Sequence, residues 1–208
     1  MSKTPRIHAI IKAESEIAFL KLGNSSIVAT AVARARAAKC APEVSLWVAP
    51  AALDAWRQTP ANLLPNCAVA VEGTLAEVAL RTSADIVLIH DAQRPLTLSS
   101  SYDRVVASLI DDVVAARPAH VVVDTLKIVD ENMRITGTLN RDAVQSLTSP
   151  EGYVKSAITI HQPTDGWSLH VAPEARREFV RGDQESLKVR EAADVLLVES
   201  FLAWQTIS

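Results

Sequence analysis

Charged residues that directly follow apolar runs are the ones best placed to do chemistry in this chain. The run Ile86–Ile89 is followed at once by His90-Asp91-Ala92-Gln93-Arg94-Pro95. A carboxylate and a guanidinium three residues apart at a strand end make either an ion pair that stabilises that end or a pair of ligand contacts. His90 reads as a structural histidine on the strand. Further along stand Asp124-Thr125-Leu126-Lys127, Asn140-Arg141, Thr148-Ser149-Pro150-Glu151-Gly152-Tyr153, Thr164-Asp165, and Gly182 with Leu187-Lys188-Val189. Each has a plain alternative: a solvated strand start for Asp124, Thr125 and Lys127, a surface arginine for Arg141, an edge lysine for Lys188, a capping turn for Thr164-Asp165. The stretch Lys12–Gly23 is of a different kind. It carries Glu14 and Glu16, and no glycine precedes Gly23. Backbone phosphate cradles use glycine to bring N–H groups close to the oxygens and to reach φ > 0.

These residues need a frame that brings them together. Arg6–Lys12 is a predicted strand. Ser25–Lys39 is a helix with Ser25 and Ser26 as candidate caps, Val44–Ala49 is a second strand, and Pro50 opens a helix through about Gln58. Strands follow at Cys67–Val71, Asp85–His90 and Ala119–Val123, with helices at Thr74–Thr82 and Ser99–Ala116 between them. This alternation predicts one α/β domain over residues 1–208, a doubly wound, mostly parallel sheet of about seven strands. In such sheets ligands sit at the carboxyl ends of strands, here after Lys12, Val71, His90 and Val123. The pattern then changes. Leu126–Val129 and Arg134–Leu139 flank Asp130-Glu131-Asn132 and predict a projecting hairpin arm over about 124–141. Residues 148–164 read as loop, Phe179–Arg181 and Leu187–Val189 as short strands, and Glu191–Gln205 as a closing helix.

Composition narrows the function. Lys plus Arg number 21 against 24 acids, a net charge of −3, which gives no basic excess for nucleic acid. Two cysteines, Cys40 and Cys67, cannot build a disulfide framework or a four-cysteine zinc site and read as buried thiols. Trp47, Trp56, Trp167 and Trp204 read as core or interface rather than as a base-stacking platform. No apolar run approaches the roughly 20 residues of a membrane span, and the N-terminal residues do not open a secretory segment. A cytoplasmic protein without membrane or nucleic-acid partners is expected.

Taken in their order and spacing from His90 onward, these motifs resemble the 2-C-methyl-D-erythritol 4-phosphate cytidylyltransferases of isoprenoid precursor synthesis, over about residues 6–204. The resemblance implies transfer of a cytidylyl group from CTP to methylerythritol phosphate, with Mg2+, and release of pyrophosphate. It implies Asp91 near metal and ribose, Arg94 on polyol hydroxyls, Lys188 and Asp91 as catalytic groups, and Gly73 on the nucleotide. Thr125, Arg141, Thr148 and Lys188 fall on polyol-phosphate positions, Arg141 reaching across a homodimer. Two stretches depart from the family pattern. The family's glycine-rich loop, with its arginine and lysine, corresponds here to the shorter, glycine-free and doubly acidic Lys12–Gly23. Glu72-Gly73-Thr74 keeps one glycine where relatives have two, with an arginine and a serine beyond.

Two functional expectations follow. The first is an active cytidylyltransferase. The second, favoured by the acidic first loop, is a homologue with weak or lost catalysis that serves as a homodimeric binding or regulatory protein. Transfer on another activated substrate is a third possibility. Leu126, Ile128, Val129, Ile135 and Leu139 are too apolar for an exposed two-stranded arm, so a dimer built on the arm is expected.

Overall fold

The computed structural model describes residues 4–163 and 165–207. Thr164, one half of the Thr164-Asp165 pair, lies outside the described residues. The chain opens with β1 (Ile7–Ala13) and one 3-10 turn, Glu16–Phe19, then a tight hairpin of β2 (Lys21–Leu22) and β3 (Ser25–Ser26). Next come α1 (Ile27–Arg36), β4 (Glu43–Val48), α2 (Leu53–Gln58), β5 (Ala68–Ala70), α3 (Leu75–Arg81), β6 (Ile86–Asp91) and α4 (Ser99–Ser108). The second half holds β7 (Val113–Val121), β8 (Lys127–Val129), β9 (Ile135–Thr138), β10 (Gln145–Leu147), β11 (Glu151–Val154), β12 (Arg176–Arg181) and α5 (Ala193–Ile207).

Helices α1 and α3 start where the sequence supplies caps. Ser26 Oγ accepts from Ala29 N–H at 3.2 Å. Thr74 and Glu77 form a reciprocal capping box, which satisfies two otherwise orphaned donors. The central sheet has eight strands in the order β10-β7-β11-β6-β1-β4-β5, with β12 beside β7. Strands β5, β4, β1 and β6 run parallel, β12 pairs β7 parallel, and β10 and β11 are antiparallel insertions. From β1 the chain winds to β4 and β5 on one side and then returns to β6 on the other. The strand order therefore reverses between β1 and β6, and a crevice is expected at the carboxyl ends there.

Side chains alternate across each strand. Ala9 and Ile11 of β1, Leu46 of β4 and Leu88 of β6 pack with Val28, Val32, Tyr102 and Val105 of the helices on one face. Ile10, Val87, Ile89 and Tyr153 pack with Val78, Trp167 and Leu169 on the other. Ile10, Ile11, Leu88 and Ile89 are essentially inaccessible, and each such side chain contributes about 1.5–3 kcal/mol by leaving water.

Three sequence expectations need correction. The helix predicted over Ser99–Ala116 ends at Ser108, and β7 already begins at Val113. Leu109, Ile110 and Val113 fit a helical period, but Asp111 turns the chain at φ 54°, and the β-branched pair Val113-Val114 starts a strand. Glu151–Val154, read as loop, is a strand inserted between β6 and β7. Its signal was hidden by its shortness and by Pro150 and Gly152. That glycine is required, since a Cβ on it would lie 2.3 Å from Val105 Cγ1 of α4. Leu187–Val189 pairs with no strand among the described residues; it is irregular chain tied to the core by Val189 N–H donating to Gln93 O at 2.8 Å.

The arm is a separate two-stranded sheet of β8 and β9. Ile128, Val129, Ile135 and Leu139 are exposed on it in the single chain. No helix among the described residues is long and apolar enough to cross a membrane.

Candidate active-site cleft

Strand parity selects the residues of the site. Lys12 follows Ile10 by two positions, Asp91 follows Ile89, Glu151 precedes Tyr153, and Trp47 lies on the same side of β4. All of them emerge on the face of the second core cluster, at the β1/β6 switch. There they line a cleft of ≈ 860 Å³. Its far wall is the chain on either side of residue 164, including His161, Trp167 and Ser168, and its mouth is formed by Gly73, Leu75 and Glu77 near the start of α3.

Asp91 lies at the centre of the charge pattern. Its Oδ2 is 2.8 Å from Lys188 Nζ, and its Oδ1 accepts from Gln93 N–H at 3.0 Å. Burial alone would raise its pKa. The Lys188 hydrogen bond and charge, with Lys12 and the Gln93 N–H, outweigh that and hold it below the usual carboxylate value. Lys12 is the register partner of Asp91 across β1 and β6, and its Nζ is 3.1 Å from Glu14 Oε2. Arg94 is held by the backbone carbonyls of Ser186 and Leu147. Its burial, together with the charges of Arg117 and Arg190, presses its pKa down against the opposing pull of Asp91.

A second ionic pair stiffens the floor. Arg117 Nη1 is 3.1 Å from Glu151 Oε1, and both side chains are largely buried. Arg117 also donates to Thr148 O at 2.9 Å and Gly166 O at 2.8 Å. Glu151 accepts from Ser168 N–H at 2.7 Å and Ser168 Oγ at 3.0 Å, and from the Tyr153 hydroxyl. One guanidinium thus ties β7 to the turn before β11 and to the far wall. Three of the four cations of this region, Lys12, Lys188 and Arg117, already face a carboxylate.

Asp91, Arg94, Lys188 and Gly73 converge on this cleft. Thr148 is buried just behind it, its hydroxyl donating to Pro118 O at 3.4 Å. Thr125 is exposed, and Arg141 donates to Val123 O at the base of the arm; neither lines the cleft of its own chain. His90 points to the opposite face against Tyr102, with ring centroids 5.5 Å apart. Burial lowers its pKa to about 4, so it is neutral at neutral pH. Trp167 is core and Trp47 packs against the same cluster, and both also line the cleft. Cys40 and Cys67 are half-buried, and burial first, then Asp103, pushes the Cys40 thiol up to about 12.

The turn after β1 is ordered by apolar anchors. Ala18, Phe19 and Leu22 are buried, and Ala18 N–H and Leu20 N–H close onto Ser15 O and Ile17 O. Gly23 sits at the tip with φ 58°, and its N–H donates to Glu199 at 2.9 Å. Glu14 faces the cleft while Glu16 does not line it, so one of the two carboxylates expected beside a bound phosphate is turned away. Sequence reasoning missed Arg117 and Glu151 as site residues. Reading Val113–Val121 with period 2 would have placed Arg117 on the face of Ala115.

The 2-C-methyl-D-erythritol 4-phosphate cytidylyltransferase family profile (IspD) matches residues 9–204. The chain belongs to this family. The IspD-family enzyme of Frankia casuarinae named 2-C-methyl-D-erythritol 4-phosphate cytidylyltransferase is 28% identical over 223 residues, covering 96% of this chain and 82% of that protein. The one of Nocardia farcinica is 29% identical, covering 91% and 86%. The crystal structure of the Thermus thermophilus cytidylyltransferase superposes with a TM-score of 0.75 at 20% identity, covering 95% of this chain and 99% of that one. The mostly parallel sheet with its flanking helices is thus the fold of IspD structures.

Proposed function

We propose that this IspD-family chain binds a polyol phosphate such as methylerythritol phosphate in the Asp91–Arg94–Lys188 half of its cleft, and that CTP-dependent cytidylyl transfer is weak or lost. The observation that carries this reading is the turn after β1. It is closed by a 3-10 turn on buried Ala18 and Phe19, and it presents Glu14 to the cleft with Lys12 paired to it at 3.1 Å. Phosphoryl transfer depends on positioning and on cations that stabilise phosphate charge. A triphosphate here meets a carboxylate, and it competes with Glu14, Asp91 and Glu151 for cations that those groups hold. At about 4 Å a like-charge contact costs roughly 1 kcal/mol in water and about 4 at an effective dielectric of 20. Each charge-assisted contact withheld forgoes roughly 1.5–3 kcal/mol, and about 4 kcal/mol separates micromolar from millimolar affinity.

In this reading Asp91 and Lys188 are the groups nearest the reacting centre, Arg94 orients the polyol, and Gly73 marks the nucleotide end. Thr125 and Arg141 act from the arm on the neighbouring subunit's cleft, within a homodimer whose interface covers Ile128, Ile135 and Leu139. Thr148 shapes the site from behind. Magnesium, expected of an active enzyme, has Asp91 as its candidate protein ligand. Both Asp91 oxygens already accept a hydrogen bond, one of them from an ammonium, and Lys12 is its strand neighbour. The residues do not fit a protein-held magnesium, and no step is assigned to one. Calorimetric titration with CTP and Mg2+, and separately with methylerythritol phosphate, tests the reading: heat for the second ligand and none for the first at sub-millimolar concentration is the expected pattern.

A further inference from the structure

Trp47, Lys12 and Asp91 lie in one row across neighbouring strands. Lys12 of β1 is the register partner of Trp47 on β4 and of Asp91 on β6, so the backbones at Trp47 and Asp91 stand two strand spacings apart, about 10 Å. All three residues line the cleft. The two ends of the row differ in chemistry. At the Trp47 end the wall is apolar, with Trp47, Val71 and Leu75 half-buried in it. The indole has one polar handle, and its Nε1–H already donates to Gly73 O at 3.1 Å. What Trp47 has left for a ligand is its ring. Thr74 beside it is engaged with Glu77 in the capping box of α3. At the other end Lys12 faces Glu14, Lys188 faces Asp91 and Arg117 faces Glu151. Arg94 is held by carbonyls instead, and its guanidinium carries more N–H donors than those taken by Ser186 O and Leu147 O.

We propose that this cleft takes a ligand with a single anionic group, bound at Arg94, and an uncharged planar ring at its far end, seated against Trp47, so that Trp47 sets which phosphate esters the site prefers. This rests on the reading above that a phosphate ester binds at Arg94, and it adds what the rest of the ligand must be. A second phosphate group placed toward Trp47 meets the Lys12–Glu14 pair, which is neutral as a pair. An uncharged ring placed there gives up no charge contact and covers apolar wall, which is favourable in proportion to the area removed from water. A polyol phosphate fills the Arg94 end and leaves Trp47 and Leu75 uncovered, whereas an aromatic monoester covers both. The difference in affinity between the two is carried by Trp47.

The test titrates the full chain calorimetrically with 1-naphthyl phosphate and with methylerythritol phosphate, an aromatic and a polyol monoester of the same phosphate group. The wild type is expected to bind the naphthyl ester at least about tenfold tighter, the scale of one ring stacked on an aromatic side chain. Trp47→Ala is expected to remove that preference and leave methylerythritol phosphate binding unchanged. Trp47→Phe is expected to keep most of it, because a ring remains without the Nε1–H bond to Gly73. Circular dichroism checks folding, and Trp47→Leu replaces Trp47→Ala under the same criterion if the alanine variant does not fold. A wild type that prefers neither ester, or binds neither, overturns the proposal. So does an alanine variant that weakens both esters equally, or a phenylalanine variant that loses the preference as fully as alanine does, since Trp47 would then act only by holding Gly73. Binding of methylerythritol phosphate with no preference for the naphthyl ester defeats this proposal and leaves the proposed function standing, and binding of the naphthyl ester alone does the reverse.

Discussion

Lys188 Nζ lies 2.8 Å from Asp91 Oδ2, although the two residues are far apart in sequence and Lys188 sits in no strand. The contact exists because Val189 N–H and Gln93 Nε2–H reciprocally tie the segment 187–189 to the turn after β6, the first to Gln93 O at 2.8 Å and the second to Val189 O at 2.6 Å. A pair of backbone-anchored bonds fixes where the ammonium can reach, so the charge geometry of the cleft is set by that turn.

Buried His90 makes stability depend on pH. Its pKa falls from 6.5 to about 4 on folding because burial penalises the charged ring. The neutral ring is favoured by the fold, so its contribution is complete above about pH 6.5 and is lost as pH falls towards 4. The loss is roughly 3 kcal/mol at most. Urea unfolding at pH 7 and pH 4.5 should show this drop in the wild type and a smaller one in His90→Gln.

Gly152 has no room for a side chain. A Cβ there meets Val105 Cγ1 at 2.3 Å and Leu109 Cδ1 at 3.2 Å. Gly152→Ala should cost about 1–3 kcal/mol, the usual range for overpacking, measured as a lower urea midpoint. Unchanged stability would mean that α4 does not rest on β11.

Removing Arg117 strands Glu151 in the floor of the cleft. Breaking a buried pair from one side costs about 3–5 kcal/mol, so Arg117→Met should be strongly destabilised. Arg117→Met/Glu151→Gln should recover a large part of that loss. A double variant as unstable as the single one would contradict a compensated pair.

The apolar arm predicts self-association. Sedimentation at about tens of micromolar should give a dimer, and Ile128→Ser/Ile135→Ser/Leu139→Ser should give a monomer that stays folded, since exposed apolar patches of this kind mark interfaces. A wild-type monomer would remove the arm from the site and leave Arg141 as a surface residue.

Much of the frame was legible in the sequence because β1, β4 and β6 are apolar runs separated by capped helices. The arm was legible from Asp130-Glu131-Asn132 between apolar stretches. Strand β11 was not, because four residues flanked by Pro150 and containing Gly152 carry loop signals, and the glycine answers to a helix far away in sequence. Asp91, Arg94 and Lys188, singled out by their motifs, all line the cleft. Arg117 and Glu151 were missed because their chemistry arises from pairing across β7 and β11, which no local pattern announces. The placement of Lys12 beside Asp91 was hidden in the same way, since it depends on the register of β1 against β6.

The central claim concerns the turn after β1, and turnover tests it most directly. Pyrophosphate release from CTP and methylerythritol phosphate, with Mg2+, should be measured for the unmodified chain at millimolar CTP. We expect a rate far below that of ordinary enzymes, with Glu14→Gly failing to restore it because that change removes a carboxylate without adding a cation to the turn from Glu16 to Phe19. Release on the order of 1 per second or faster would contradict the account and make this chain a working cytidylyltransferase.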